Sequence, residues 1–187
     1  MNKLLMLMVV VGMALSANAQ SPVQVTVQRI TKKKSAQGEV TTRGNMQYFQ
    51  YNTANASLTL RITLQNTSIR PVEDVVVRWG VAKTRLTGSG HAGDVAYGKE
   101  EKCSLKPKEV KVIETETVQA KKQESQIDDR QFGEKIHGHG VQVMIGGRPV
   151  WEEFVPGTIK KAFENLRPIE DQEKDEGQDN QPKKKKQ

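Results

Sequence analysis

Apolar and polar residues alternate along much of this chain with a period of two, the spacing that puts every second side chain of an extended strand on one face. The clearest run has Leu58, Leu60, Ile62 and Leu64 on one side and Thr59, Arg61, Thr63 and Gln65 on the other. One face meets a core and the other meets water. A helix would scatter the four apolar residues round its axis, so the pattern predicts a strand. Val75, Val77, Trp79 and Val81 repeat it after a turn over Asn66 to Pro71, which places Trp79 in the core. Val23, Val25 and Val27 predict a first strand, ended by the charges of Lys32, Lys33 and Lys34. Shorter strands are expected over Met46 to Tyr51 and Val95 to Tyr97, and a longer one from Val110 to Val118.

Val141, Val143 and Ile145 lead into Gly146-Gly147. Two glycines tolerate the positive φ of a tight hairpin, so Arg148 to Val155 should return beside them. The simple register sets Val143 opposite Val150, and Pro149 marks an edge strand. The period then changes. Ile159, Ala162, Phe163 and Leu166 follow the i, i+3, i+4, i+7 spacing of a helix with one apolar stripe, capped by Thr158 and ended near Pro168. Gly38 to Asn45 is polar and expected to be a loop. Arg85 to Pro107 is rich in glycine and charge, Ala120 to Lys135 is polar and charged, and both are expected to be long loops.

These elements divide the chain. Residues 1–19 have a lysine, an apolar run from Leu4 to Ala14 and the small-residue site Ala17-Asn18-Ala19, the form of a secretory signal peptide cleaved before Gln20. The run is too short for a permanent membrane anchor. Residues 20–156 form the β-domain, 157–168 a short amphipathic helix docked on it, and 169–187 a charged tail expected to be disordered. A lone cysteine, Cys103, excludes a scaffold stapled within one chain and leaves burial or an intermolecular disulfide. These features fit a bacterial envelope, periplasmic or extracellular.

The segment Leu58 to Ser68, followed by Val72-Glu73-Asp74-Val75-Val76-Val77-Arg78-Trp79, resembles bacterial immunoglobulin-like and fibronectin-III-like modules. In these an asparagine often closes the second strand. Leu105-Lys106-Pro107-Lys108-Glu109 is similar to the Leu-x-Pro turn before a later strand of such modules, and the hairpin from Val141 to Phe154 to their closing pair. The resemblance implies an all-β fold, an antiparallel immunoglobulin-like β-sandwich of about seven strands with a short C-terminal helix. It also implies binding of protein or glycan, or a spacer role, and transfers no catalytic residue.

Charge narrows the partners. The formal net charge is +7, and the tail from Glu170 holds six acids against five lysines, so the surplus sits in the body. An exported basic body favours anionic polysaccharide, lipid head groups or acidic proteins over nucleic acid. Lys183, Lys184, Lys185 and Lys186 could tether the tail weakly to an anionic surface. The sparse aromatics, 5% of residues, argue against a stacking platform for sugars.

The candidate chemistry is thin. His137 and His139, two apart on a strand, could reach one metal ion, with His91 and nearby acids completing the site. Flanking glycines favour solvated histidines instead. Gly88-Ser89-Gly90-His91 has the wrong spacing for a nucleophile elbow, and nothing beside Cys103 marks an activated thiol. No cofactor is implied. Trp151 falls opposite the face of Val150 and Phe154 and is the candidate partner anchor. The expected role is an exported, non-enzymatic binding or structural module of the cell envelope, its partner a protein or glycan recognised through the loops at Arg85–Lys102 and Lys121–His139. The alternatives are a metal-dependent or hydrolytic enzyme using His91, His137 and His139, and a basic carbohydrate or polyanion binder.

Overall fold

A computed structural model describes residues 21–36, 42–43, 46–47, 51–88, 90–125 and 130–172. The strands are β1 (Val23–Ala36), β2 (Thr42–Arg43), β3 (Met46–Gln47), β4 (Tyr51–Asn66), β5 (Val72–Gly88), β6 (His91–Leu105), β7 (Val110–Glu114), β8 (Val118–Ser125), β9 (Gln131–Ile145) and β10 (Arg148–Val155). A 3-10 turn (Gly157–Ile159) then leads into the helix α1 (Lys160–Glu164). Eight strands form one antiparallel sheet, and β2 pairs only with β3. The predicted signal segment, and Lys183 to Lys186 with the rest of the tail beyond Gln172, lie outside the described residues.

The large sheet folds over into a sandwich. On one side β4 lies between β1 and β7; on the other the order is β6-β5-β9-β10. At one end the two layers are joined, because β8 pairs with both β4 and β9. Leu58, Leu60, Ile62 and Leu64 of β4 and Val75, Val77, Trp79 and Val81 of β5 are all buried in one core, as their alternation predicts. Val141 and Val143 of β9 join them.

The strand predicted from Val110 to Val118 is β7 and β8 run together, with one extra residue over Thr115 to Thr117. Glu114 pairs with Arg61 and Val118 with Leu58, so five residues oppose four. Thr115 closes this bulge on Leu60: its N–H donates to the Leu60 carbonyl at 2.9 Å, and its Oγ1 accepts the Leu60 N–H at 2.9 Å. Asn66, wholly buried, ties two turns together. Its Nδ2 donates to the carbonyls of Arg70 (2.8 Å) and Lys106 (3.0 Å), and its Oδ1 accepts the Ser68 N–H at 2.9 Å.

Several expectations are corrected. The lysines 32–34 do not end the first strand; β1 runs through them to Ala36 as an exposed edge, where charge discourages pairing with another chain. The two regions expected to be long loops are mostly strand. Arg85 to Leu105 contains the end of β5 and all of β6, and Lys121 to His139 contains the end of β8 and most of β9. Their backbone groups are satisfied by ladders with β5 and β4, which outweighs the poor strand propensity of glycine. The closing hairpin has a bulge between Pro149 and Trp151, so Trp151, not Val150, faces Val143. Residues 169–172, assigned by sequence to the tail, pack on the sandwich. Ile169 rests against the main core and Gln172 Nε2 donates to the Gln119 carbonyl at 3.0 Å.

Candidate functional site

The outer face of the β6-β5-β9-β10 layer carries small residues where three strands lie side by side. Gly80 pairs with Gly98 on β6 and with Gly140 on β9, and Ala82 pairs with Ala96 and Gly138. The resulting trough seats the helix. A Cβ on Gly140 would lie 2.7 Å from Phe163 and 2.8 Å from Phe154, and one on Gly80 would collide with Leu166. Ile159 and Phe163 are buried, and Phe163 meets Phe154 edge-on at 5.1 Å between ring centroids. The Arg78 guanidinium lies over the Phe163 ring, 5.0 Å from its centroid. The stripe predicted for the helix is therefore the stripe that docks. Thr158 makes no capping hydrogen bond.

Beyond the helix the chain fastens itself to the edge of β6. The Arg167 N–H donates to the Ala96 carbonyl and the Gly98 N–H to the Arg167 carbonyl, both at 2.9 Å, as one parallel bridge. Between this strap, the helix and β6 lies an open cleft of about 330 Å³, lined by Asp94 and Val95 from β6 and by Thr158, Lys161, Ala162, Asn165 and Arg167.

Asp94 is set by three strands. It pairs across the ladder with Thr84 of β5, whose hydroxyl donates to Asp94 Oδ1. His137 of β9 stands in a bulge, because Gly138 pairs with Ala82 while Ile136 pairs with Lys83. A bulge re-aims the side chain it carries. His137 Nδ1 thereby lies 2.9 Å from Asp94 Oδ1 and 3.1 Å from Thr84 Oγ1. An ionised carboxylate only accepts, so Nδ1 carries the proton. Burial pushes the Asp94 carboxyl up, but the hydrogen bonds from His137 and Thr84 and the charges of His137 and Lys135 outweigh it and hold the group below its ordinary value of 3.8. Both contacts fall on Oδ1, and Oδ2 has no partner among the described residues.

The structure does not bring the three histidines together. His139 is buried and its Nε2 lies 3.1 Å from Glu153 Oε1 of β10, whereas His137 turns to Asp94 of β6 on the other side of β9. The bulge at His137 breaks the alternation that would have put both on one face. His91 is exposed at the start of β6. Among the described residues no group of three His, Cys, Asp or Glu could hold a metal ion. The Thr84–His137–Asp94 network is not arranged as a nucleophilic triad either. Thr84 contacts the same ring nitrogen as the aspartate, whereas a nucleophile sits on the opposite one.

Trp151 is half-buried and packs against the main core. Cys103 is also half-buried against that core, and burial pushes its thiol up, so the reactive thiolate is disfavoured. A second recess of about 320 Å³ lies where β7 gives way to β8 and includes Lys32, Thr59, Glu114 and Thr117. Its polar groups largely satisfy one another: Glu114 is paired with Arg61, and the hydroxyls of Thr59 and Thr117 are 2.8 Å apart. The cleft at Asp94 is the stronger candidate. Sequence reasoning missed it because its lining joins β6 to residues 158–167 far along the chain, and Asp94 is held there by Thr84 and His137 from two further strands. The one available signal was that Lys161 and Asn165 lie one turn apart on the predicted helix.

No family model matches the sequence, and no curated protein does. Among solved structures, a crystal structure from Akkermansia muciniphila is similar over 83% of this chain and 86% of that one, at 13% identity and a TM-score of 0.28. A likeness at that level carries no argument about function. Among the described residues no helix is long and apolar enough to cross a membrane.

Proposed function

We propose that this chain is an exported, non-enzymatic binding module of the bacterial cell envelope that takes its ligand in the cleft between α1 and β6. The observation that carries the reading is the convergence there of polar groups left unused by the fold. Asp94 offers Oδ2, and the Lys161 ammonium has no partner among the described residues. These groups sit on a frame fixed by the glycine trough and the Arg167 bridge, so the site is preorganised. The immunoglobulin-like or fibronectin-III-like kinship is part of the same proposal. It is supported by the division into β1-β4-β7 and β6-β5-β9-β10, with sequence neighbours β4 and β5 in opposite layers. Export is supported by the form of residues 1–19.

Photo-crosslinking tests the proposal. A photoreactive residue at Asn165, in the cleft, should capture a component of the producing cell's envelope. The same residue at Thr26, on the exposed side of β1, should not. Equal capture from both positions, or capture from Thr26 alone, would reject the cleft as the binding site.

A further inference from the structure

The charges of the cleft carry the argument one step further, resting on the binding reading above. Its lining holds one acid, Asp94, and two bases, Lys161 and Arg167, with the neutral polar groups of Thr158 and Asn165 between and the small apolar surfaces of Val95 and Ala162. The acid is not consumed by the bases, since its hydrogen bonds run to Thr84 and His137 through Oδ1 alone. The Lys161 ammonium has no carboxylate partner among the described residues. Asn165 is turned toward the helix by its Nδ2, which donates to the Lys161 carbonyl at 3.3 Å. The cleft therefore presents one negative and at least one positive group in the same lining, both available.

That pattern discriminates between ligand classes. A purely anionic ligand is opposed by Asp94 and a purely cationic one by Lys161 and Arg167. A neutral sugar would partly desolvate charges it cannot pair. A ligand with both an ammonium and a carboxylate pairs each group with its opposite through charge-assisted hydrogen bonds. The volume, about 330 Å³, is near the lower end of the range of small-molecule sites, roughly 300–1,000 Å³. We infer that the cleft binds a short zwitterion, an amino acid or dipeptide, with its ammonium on Asp94 Oδ2 and its carboxylate on Lys161 beside Arg167.

The test is an NMR titration of the protein with glycylglycine and three blocked relatives. N-acetylglycylglycine lacks the ammonium, glycylglycinamide lacks the carboxylate, and cyclic diglycine lacks both. Glycylglycine should shift the amides of Val95, Lys161, Ala162 and Asn165 saturably. Each singly blocked form should bind about ten-fold more weakly or worse, because a charge-assisted bond is lost. Lys161→Ala, at an exposed position where folding is not at stake, should weaken glycylglycine by a similar factor. If N-acetylglycylglycine binds as tightly as glycylglycine, the zwitterion inference is overturned and the cleft is an anion site. If no form shifts the cleft amides while the photoreactive residue at Asn165 still captures its partner, the inference falls and the binding reading stands. If both fail, both are wrong.

Discussion

The two faces of the β6-β5-β9-β10 layer solve the same problem in opposite ways. The inner face fills the sandwich with its own large side chains, Val75, Val77, Trp79 and Val81 from β5 and Val141 and Val143 from β9. The outer face is stripped down to Gly80, Gly98, Gly140, Ala82 and Ala96, and borrows its apolar surface from Phe154, Ile159, Phe163 and Leu166. The inner face is complete in itself and leaves no surface for a ligand. The outer face, because it needs a helix to cover it, gains a docked neighbour, a strap and a cleft between them. The proposed site lies where the strand sequence is least hydrophobic.

The comparison can be broken from either side. On the inner face Trp79→Ala removes the largest wholly buried side chain and should cost about 3–5 kcal/mol in chemical denaturation. A loss below about 1 kcal/mol would mean that Trp79 is not a core residue. On the outer face Phe163→Ala should cost less, about 2–3 kcal/mol, because part of the trough opens to water instead of leaving a closed cavity. It should also abolish ligand capture, since the cleft wall rides on the helix. The glycines divide further. An alanine at Gly98 would drive its methyl into the β5 backbone at Trp79 and Gly80 and should cost about 2–3 kcal/mol. At Gly80 the obstacle is the flexible end of Leu166, and the cost should be nearer 1 kcal/mol. Equal costs at the two positions would contradict the trough geometry.

The smallest expected effect is electrostatic. The folded state holds the proton of Asp94 less tightly than the unfolded chain. The stabilisation this gives is complete above the ordinary carboxylate range and is lost as pH falls below about 4. Asp94→Asn should therefore flatten the acid side of the stability profile below about pH 4, as read by denaturation midpoints. An acid limb of unchanged slope would show that the network with His137 and Thr84 does not hold the charge.

The inner face was legible in the sequence because alternation is a local signal. Leu58 to Leu64 and Val75 to Val81 could be read residue by residue, and the Gly146-Gly147 turn could be placed, though a bulge at Val150 shifted the register beyond it. The outer face was not. Gly80, Gly98 and Gly140 are loop signals when read singly, and they become a helix seat only when the register aligns them across three strands. For the same reason β6 looked like a loop, since Ala96 and Gly98 give it almost no apolar pattern. The histidine pair shows the limit of a fixed period. One extra residue in β9 at His137 sends two residues with identical spacing to different neighbours, Asp94 and Glu153. Asn66 ends β4, and because its amide is buried there it must find partners, which two turns supply.

The central claim is that the cleft beside Asp94 is where this module meets its ligand. The most direct measurement is crosslinking yield from a photoreactive residue at Asn165 in the producing cell, compared between the otherwise native chain and a Lys161→Glu variant of matched thermal stability. The account predicts that reversing this exposed charge collapses the yield while the fold is unchanged. A yield unaffected by the reversal would contradict it.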